Sequence, residues 1–276
     1  MSSRLRPGLV SVTLRALSPD QIIALAIQAE LQTIEWGGDV HVPPGDAQRA
    51  VEVGQRTRDA GLSVAAYGSY YRLGQAAEAD FAAILEAALA LQAPLIRVWA
   101  GTESPQNTEA KMRQRIIEDA RRCAEMGAQV GVKVALEFHR GTLTESAGSA
   151  LRFMTQVDHP NLRALWQPIY WLSHSPNAVT QSNAEDLGRL KPYLENVHIF
   201  QWSEDAAEGA QEKATRRWPL AAGATAWREY LSILNEPAEN AAEGREHYAL
   251  LEFVRDDDPR ALLEDAATLR GWLRAL

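Results

Sequence analysis

Short apolar runs alternate with amphipathic ones along nearly the whole chain. Gly8–Leu14 reads as a strand. Ser18-Pro19-Asp20-Gln21 then opens a helix, with Ser18 suited to the N-cap, Pro19 to the first helical position and Gln21 to closing a capping box. Ile22, Ile23, Ala26 and Ala29 follow at helical spacing. TIEWGGD (Thr33–Asp39) is a second strand, and Ala47–Ala60 a helix stopped by Gly61. The beat continues with strands LSVAAYG, LIRVWAG, VKVALEF, LRALWQP, NVHIFQW and YALLEFV. Between them the pattern predicts helices over Glu78–Leu91, Glu109–Gln129, Ser146–Gln156, Ala184–Tyr193 and Trp227–Leu234. Asp258-Pro259 caps a last helix whose apolar stripe is Leu262, Leu263, Ala266 and Leu269.

The strands are continuously apolar rather than alternating, so both faces are buried, as in a parallel sheet covered by helices. About eight β-α units in series with no linker predict a closed (β/α)8 barrel. We expect a single domain over residues 1–276, with its core from about residue 8. The competing open sheet would want a GxGxxG turn after the first strand, and none is there. The longest irregular stretches, Ser203–Thr225 and Glu236–Glu246, read as lids or binding loops.

Two of these strands carry a carboxylate near their ends: VALEFHR at Glu137 and LLEFVR at Glu252. A lone buried carboxylate is costly unless paired, protonated or bound to a metal. Active sites in this architecture lie at the C-terminal ends of the strands. Collected there are Glu35, Tyr67, Trp99, Glu137, His139, Gln167, His198 and Glu252. Two glutamates and a histidine on neighbouring strands, with Gln167 adding a neutral oxygen, make a site for one divalent cation such as Mn2+, Mg2+ or Zn2+. The alternative is salt bridges from Glu137 to Arg140 and from Glu252 to Arg255, but residues three apart in a strand face opposite sides.

Charge narrows the functions. Of 276 residues 28 are Lys or Arg and 36 Asp or Glu, a net charge of −8, which argues against a nucleic-acid surface. The single cysteine, Cys123, allows no internal disulfide, and the N-terminus shows no long apolar stretch. We expect a cytoplasmic protein that does not bind membranes; a homo-oligomer stays open.

The set IEWGGDVHVP, ALEFHRG, WQP, NVHIFQW and LLEFV with LLEDAATLRGWL resembles the xylose-isomerase-like TIM barrels, the sugar phosphate isomerase/epimerase group. The resemblance runs from about Gly8 to the C-terminus. It implies a divalent metal held by a glutamate on the fifth strand, an aspartate on the sixth, a histidine on the seventh and a glutamate on the eighth. Glu137, His198 and Glu252 match the first, third and fourth, and Gln167 stands where the aspartate is usual. Tyr170 and Glu204 stand where ketose 3-epimerases carry a histidine and an arginine. The implied activity is isomerisation or epimerisation of a sugar, sugar phosphate or related hydroxy-carbonyl compound. The proton would pass through an enediolate between Glu137 and Glu252, with His198 holding the metal. A lyase or dehydratase, a non-catalytic sugar-binding barrel and an apurinic-site endonuclease are the alternatives.

Around this centre, Glu35, His41, Tyr67, Trp99, His139 and Trp202 are candidates for substrate contact. Trp36, Trp166 and Trp171 also lie near strand ends, where aromatic faces stack on sugars or simply pack. Lys213, Arg216 and Arg217 could close on an anionic substrate or form a solvated charge run.

Overall fold

The structure is a computed structural model describing residues 5–75, 77–170, 176–205, 214–236 and 247–276. Among these residues eight parallel strands close into a barrel. In chain order the elements are β1 (Leu5–Val10), α1 (Pro19–Gln28), β2 (Thr33–Gly37), α2 (Ala47–Asp59), β3 (Ser63–Arg72), α3 (Glu78–Leu91), β4 (Leu95–Trp99), α4 (Ala110–Gln129) and β5 (Lys133–Glu137). They continue with α5 (Ala147–Val157), β6 (Leu162–Trp166), α6 (Pro176–Leu190), β7 (Leu194–Ile199), β8 (Trp202–Asp205), β9 (Ala214–Arg217), α7 (Ala224–Asn235), β10 (His247–Leu251) and α8 (Pro259–Arg274). Barrel order is β1-β10-β7-β6-β5-β4-β3-β2, so β10 is the eighth barrel strand.

The capping signals act as their residues dictate. The Ser18 side chain accepts from the Gln21 N–H while Gln21 Oε1 accepts from the Ser18 N–H at 2.8 Å, with Pro19 in the first turn. Asp258 Oδ1 accepts from the Arg260 N–H at 2.8 Å ahead of Pro259. Helix faces and outward strand faces share one large core, in which Trp36, Phe81, Trp166 and Trp227 are fully buried. Inside the barrel Ala66, Leu95, Ala135 and Leu165 form a small cluster of their own. These apolar side chains pack inside the barrel, on the same strand faces that carry Arg97 and Glu137 two residues further on.

Several boundaries differ from the sequence expectation. The first strand is Leu5–Val10, and Ser11–Leu14 is a turn of 3-10 helix. The turn is fixed by polar side chains: Ser11 Oγ accepts from the Gly37 N–H at 2.9 Å, and Thr13 Oγ1 accepts from the Phe253 N–H at 3.0 Å. The third strand does not stop at Gly68 but runs on to Arg72, where it pairs with Trp99 of the fourth strand after an irregularity in register. Tyr71 turns to the helices and bonds Asp119, while Tyr70 and Arg72 share the opposite face. The stretch after the seventh strand is not wholly irregular, since β8 and β9 pair as an antiparallel ribbon. Helices α6 and α7 begin before the expected Ala184 and Trp227. Trp171, His174, Lys213 and residues 237–246 lie outside the described residues.

Candidate metal centre and its cavity

Interior-facing residues on successive strands bring the charges together. Leu95, Arg97 and Trp99 share one face of β4, and Ala135 and Glu137 one face of β5. Glu137 (3% exposed), His198 (0%) and Glu252 (5%) converge, with one potential ligand atom from each within 4.8 Å of the others. Gln167, just past β6, joins them.

The carboxylates are answered by a residue that the strand pattern alone did not single out. Arg97 is buried and donates from Nη1 to Glu137 Oε2 at 2.5 Å and from Nε to Glu35 Oε1 at 3.1 Å. Gly68 makes room for this pair: a Cβ there would stand 2.8 Å from both Arg97 Nη2 and Glu35 Oε1. Trp99 Nε1 also donates to Glu137 Oε2. Burial alone would raise the Glu137 carboxyl, but Arg97 and His198 overcome that and hold it below its ordinary value. Glu35 is lowered in the same way, against burial, by His198 and Arg97.

His198 is oriented from behind. Its Nε2 lies 3.2 Å from Glu35 Oε2, and its Nδ1 3.2 Å from Glu252 Oε2. The first contact is a hydrogen bond. The second has ion-pair distance without hydrogen-bond alignment, which leaves Nδ1 a buried atom with no hydrogen-bond partner. Burial disfavours the imidazolium, yet Glu252 and Glu35 outweigh it and raise His198 to about 10. A carboxylate that fixes the far nitrogen and leaves the near one open is the usual support of a metal-binding histidine.

Gln167 shows the same signature. Its Nε2 donates to the Phe138 carbonyl at 2.5 Å, and its buried Oε1 has no partner. Two carboxylates, an imidazole nitrogen and an amide oxygen, the last two open, make a donor set that suits one hard or borderline divalent cation.

A cavity of about 240 Å3 stands over this floor. Arg97, Glu137, Gln167 and Glu252 are at its base, and Tyr70, Trp99, His139, Tyr170, Trp202 and Phe253 form much of its wall. Arg15 and Arg140 reach it from the rim. Phe253 sits at φ 44, costly for a phenylalanine, and Thr13 holds its N–H there. Trp202 stacks on Phe200 at 3.9 Å between ring centres, and its Nε1 donates to the Phe253 carbonyl at 3.2 Å. His139 has its Nδ1 2.7 Å from the Arg140 carbonyl, and its ring lies 5.1 Å from that of Trp99.

Of the residues expected to touch substrate, Trp99, His139 and Trp202 line the cavity, while Glu35, His41 and Tyr67 do not. Glu35 sits beneath it, engaged by Arg97 and His198. His41 is buried between Ser11 Oγ and the Leu17 carbonyl, and the Tyr67 hydroxyl donates to the Val42 carbonyl at 2.7 Å. Trp36 bonds Thr57 inside the core. The expected alternative pairings do not form: Arg140 pairs with Glu204 at 2.5 Å and Arg255 with Glu264 at 3.4 Å. Arg217 pairs with Asp257, and Arg216 lies over the Trp218 ring. Sequence reasoning passed over Arg97 and Tyr70. For Arg97 a signal was present, an arginine inside the apolar run LIRVWAG, as foreign to a buried strand as the glutamates it serves.

Comparison with known proteins agrees with this architecture. The family described as xylose isomerase-like TIM barrel matches residues 23–274. The chain belongs to that family. A 3-dehydroshikimate dehydratase of Bacillus anthracis is 28% identical over 104 residues, 38% of this chain and only 35% of that protein's length. The crystal structure of the probable 3-DHS dehydratase AsbF of Bacillus anthracis superposes with a TM-score of 0.77 at 19% identity, over 96% of this chain and 99% of that one. A Mycobacterium smegmatis barrel of the family in complex with magnesium gives 0.70 at 13% identity, over 100% and 99% of the two chains. A D-allulose 3-epimerase from Methylomonas gives 0.68 at 14%, over 99% and 100%. The named members of the family are thus enzymes, of both the epimerase and the dehydratase kind. Among the described residues no helix is long and apolar enough to cross a membrane.

Proposed function

We propose that the protein is a metal-dependent isomerase or epimerase of a sugar or related hydroxy-carbonyl compound. The reading rests on one observation: Glu137, His198 and Glu252 converge at a cavity floor where the buried His198 Nδ1 and Gln167 Oε1 have no hydrogen-bond partner. Glu137, His198, Glu252 and Gln167 would hold a divalent cation there, which would supply Lewis-acid stabilisation of the enediolate formed when a C–H beside a carbonyl loses its proton. Glu137 and Glu252 carry the proton to and from that carbon. Arg97 and Trp99 fix one oxygen of Glu137, and the other stays available as ligand or proton acceptor. Among the described residues Glu252 lines the cavity with only His198 at ion-pair distance, so its carboxylate is the freer to move a proton. Trp99, Trp202 and Phe253 give the cavity an aromatic wall on which the apolar face of a sugar can stack. The magnesium complex of the Mycobacterium smegmatis relative supports a divalent ion in this fold. The single cysteine, Cys123, leaves no internal disulfide in this chain, which suits a reducing compartment, and we place the reaction in the cytoplasm.

Dehydration is the second reading, favoured by the Bacillus anthracis dehydratase match. It starts from the same proton removal and differs in that a neighbouring hydroxyl then leaves. The test is incubation of the Mg2+- or Mn2+-loaded protein in D2O with ketoses, keto-acids and their phosphates, followed by mass spectrometry. Deuterium at the carbon beside the carbonyl is the expected result, with product of unchanged formula for isomerisation and loss of water for dehydration. Isomerisation with full retention of hydrogen would overturn proton transfer, and no reaction across the panel in metal-loaded protein would favour a binding barrel.

A further inference from the structure

We propose that Thr13 is a positioning residue for Glu252, its single hydroxyl gripping the peptide groups on either side of that glutamate. The inference rests on the metal-site reading above and adds what aims one of its carboxylates. Thr13 Oγ1 accepts from the Phe253 N–H at 3.0 Å and donates to the Leu251 carbonyl at 3.5 Å. Thr13 itself is buried, in the Ser11–Leu14 turn that follows β1.

The grip falls where the barrel ladder gives out. β1 and β10 pair in register up to Leu9 and Leu251, and on the other side the Glu252 N–H still reaches the Ile199 carbonyl at 3.0 Å. Beyond Val10 the first strand curls into its 3-10 turn. The Thr13 hydroxyl then gives the Phe253 N–H the partner that a neighbouring strand would have supplied. The chain bends at this point: Phe253 is left-handed, at φ 44, a conformation that a phenylalanine keeps only when its surroundings hold it. The bend shows in the cavity. Consecutive residues of an extended strand face opposite sides, yet Glu252 and Phe253 both line it.

The turn that carries Thr13 is braced on its other flank. Ser11 Oγ accepts from the Gly37 N–H at 2.9 Å, and Gly37 leaves the space that Val12 fills, since a Cβ there would overlap the Val12 side chain. The turn therefore leans on the end of β2 while it holds the end of β10, the two barrel neighbours of β1. Glu137 needs no such device, because Arg97 and Trp99 hold its side chain directly. Among the described residues Glu252 has only His198 at ion-pair distance, so the course of its backbone decides where its carboxylate stands. Trp202 bonds the Phe253 carbonyl at 3.2 Å on the far side, whereas Thr13 bonds on both sides of Glu252.

The test compares T13V, which keeps the shape and loses the hydroxyl, with T13S, which keeps the hydroxyl; T13A is a second variant that should behave as T13V. In crystal structures determined without added metal, T13V should show Phe253 out of its left-handed conformation and the Glu252 carboxylate displaced from His198, and T13S should show neither. In calorimetric titration with Mn2+, T13V should bind about tenfold or more weakly, the usual effect of losing a group that orients a metal ligand, and T13S should bind as the unmodified protein does. A merely structural role would weaken binding in any background, so the deciding readout is the cycle with E252Q, in which T13V should add no further loss. A Glu252 that stays in place in T13V and T13A, unchanged Mn2+ affinity in both, or an equal loss with and without E252Q would overturn the proposal. Absence of Mn2+ binding in the unmodified protein would contradict the metal centre alone, and the position of Glu252 in the crystal structures would then decide Thr13's role.

Discussion

The ends of β5 and β10 carry nearly the same words, ALEF and LLEF, and hold their glutamates in opposite ways. Glu137 is clamped, one oxygen taking Arg97 and Trp99 while Gln167 stands beside the other. Among the described residues, Glu252 faces the cavity with His198 alone at ion-pair distance. The difference comes from the neighbouring strands. β5 lies beside β4, whose interior face ends in Arg97 and Trp99, whereas β10 lies between β7, which offers His198, and β1, whose end turns into the Ser11–Leu14 helix. A pair of matching carboxylates thus becomes one held rigid and ionised and one with room to move.

The sharpest way to break this comparison is to neutralise each glutamate in turn. E252Q should lower deuterium exchange into substrate by about 10²–10⁴ while the barrel stays folded. E137Q should lower it further and also weaken metal binding, because it removes a ligand as well. Equal loss of metal in both variants, measured by calorimetry, would erase the distinction. Next comes Arg97. R97A leaves Glu35 and Glu137 buried without their cation, and breaking a buried pair costs about 3–5 kcal/mol of stability. E252Q should cost far less in the same urea titration, since no clamp is lost.

The fold was legible where local chemistry is self-sufficient. Ser18-Pro19-Asp20-Gln21 and Asp258-Pro259 begin their helices whatever surrounds them, and continuous apolar strands announce burial on both faces. The glutamates and His198 were legible because a charge in an apolar run must be answered. What could not be read locally was who answers it. Glu35 and Arg97 are 62 residues apart, and only the barrel's closure sets them side by side. The course of β3 beyond Gly68 and the β8–β9 ribbon were hidden for the same reason: partners at Trp99 and Arg217, not the segment's own pattern, keep them extended.

A smaller effect tests the neutral member of the floor. Q167D adds a carboxylate among the ligands and should tighten divalent-metal binding by about tenfold or more at low salt, an electrostatic gain on the order of 1.4 kcal/mol. Unchanged affinity would place Gln167 outside the ligand set.

The smallest effect comes from a carboxylate with no clamp. Asp265 in α8 is buried, which pushes its carboxyl up to about 6 despite the hydrogen bond it accepts from the Leu220 N–H at 2.8 Å. Glu35, equally hidden, is pulled down by His198 and Arg97. The folded protein therefore binds the Asp265 proton more tightly than the unfolded chain, whose value is near 3.8. Its contribution to stability is favourable at low pH and is lost as pH rises from about 4 through about 6. D265N should remove that slope from the difference in stability between the two proteins over this window. A difference that does not vary with pH would mean that Asp265 titrates normally.

The most direct measurement is Mn2+ binding followed by electron paramagnetic resonance, in the unmodified protein and in H198A, E137Q and E252Q. The account predicts one bound ion per chain in the unmodified protein, weakened most by H198A and E137Q, and recovery of the same count after chelation and reloading. No bound ion, or an ion whose affinity none of the three substitutions changes, would contradict a metal centre at the mouth of this barrel.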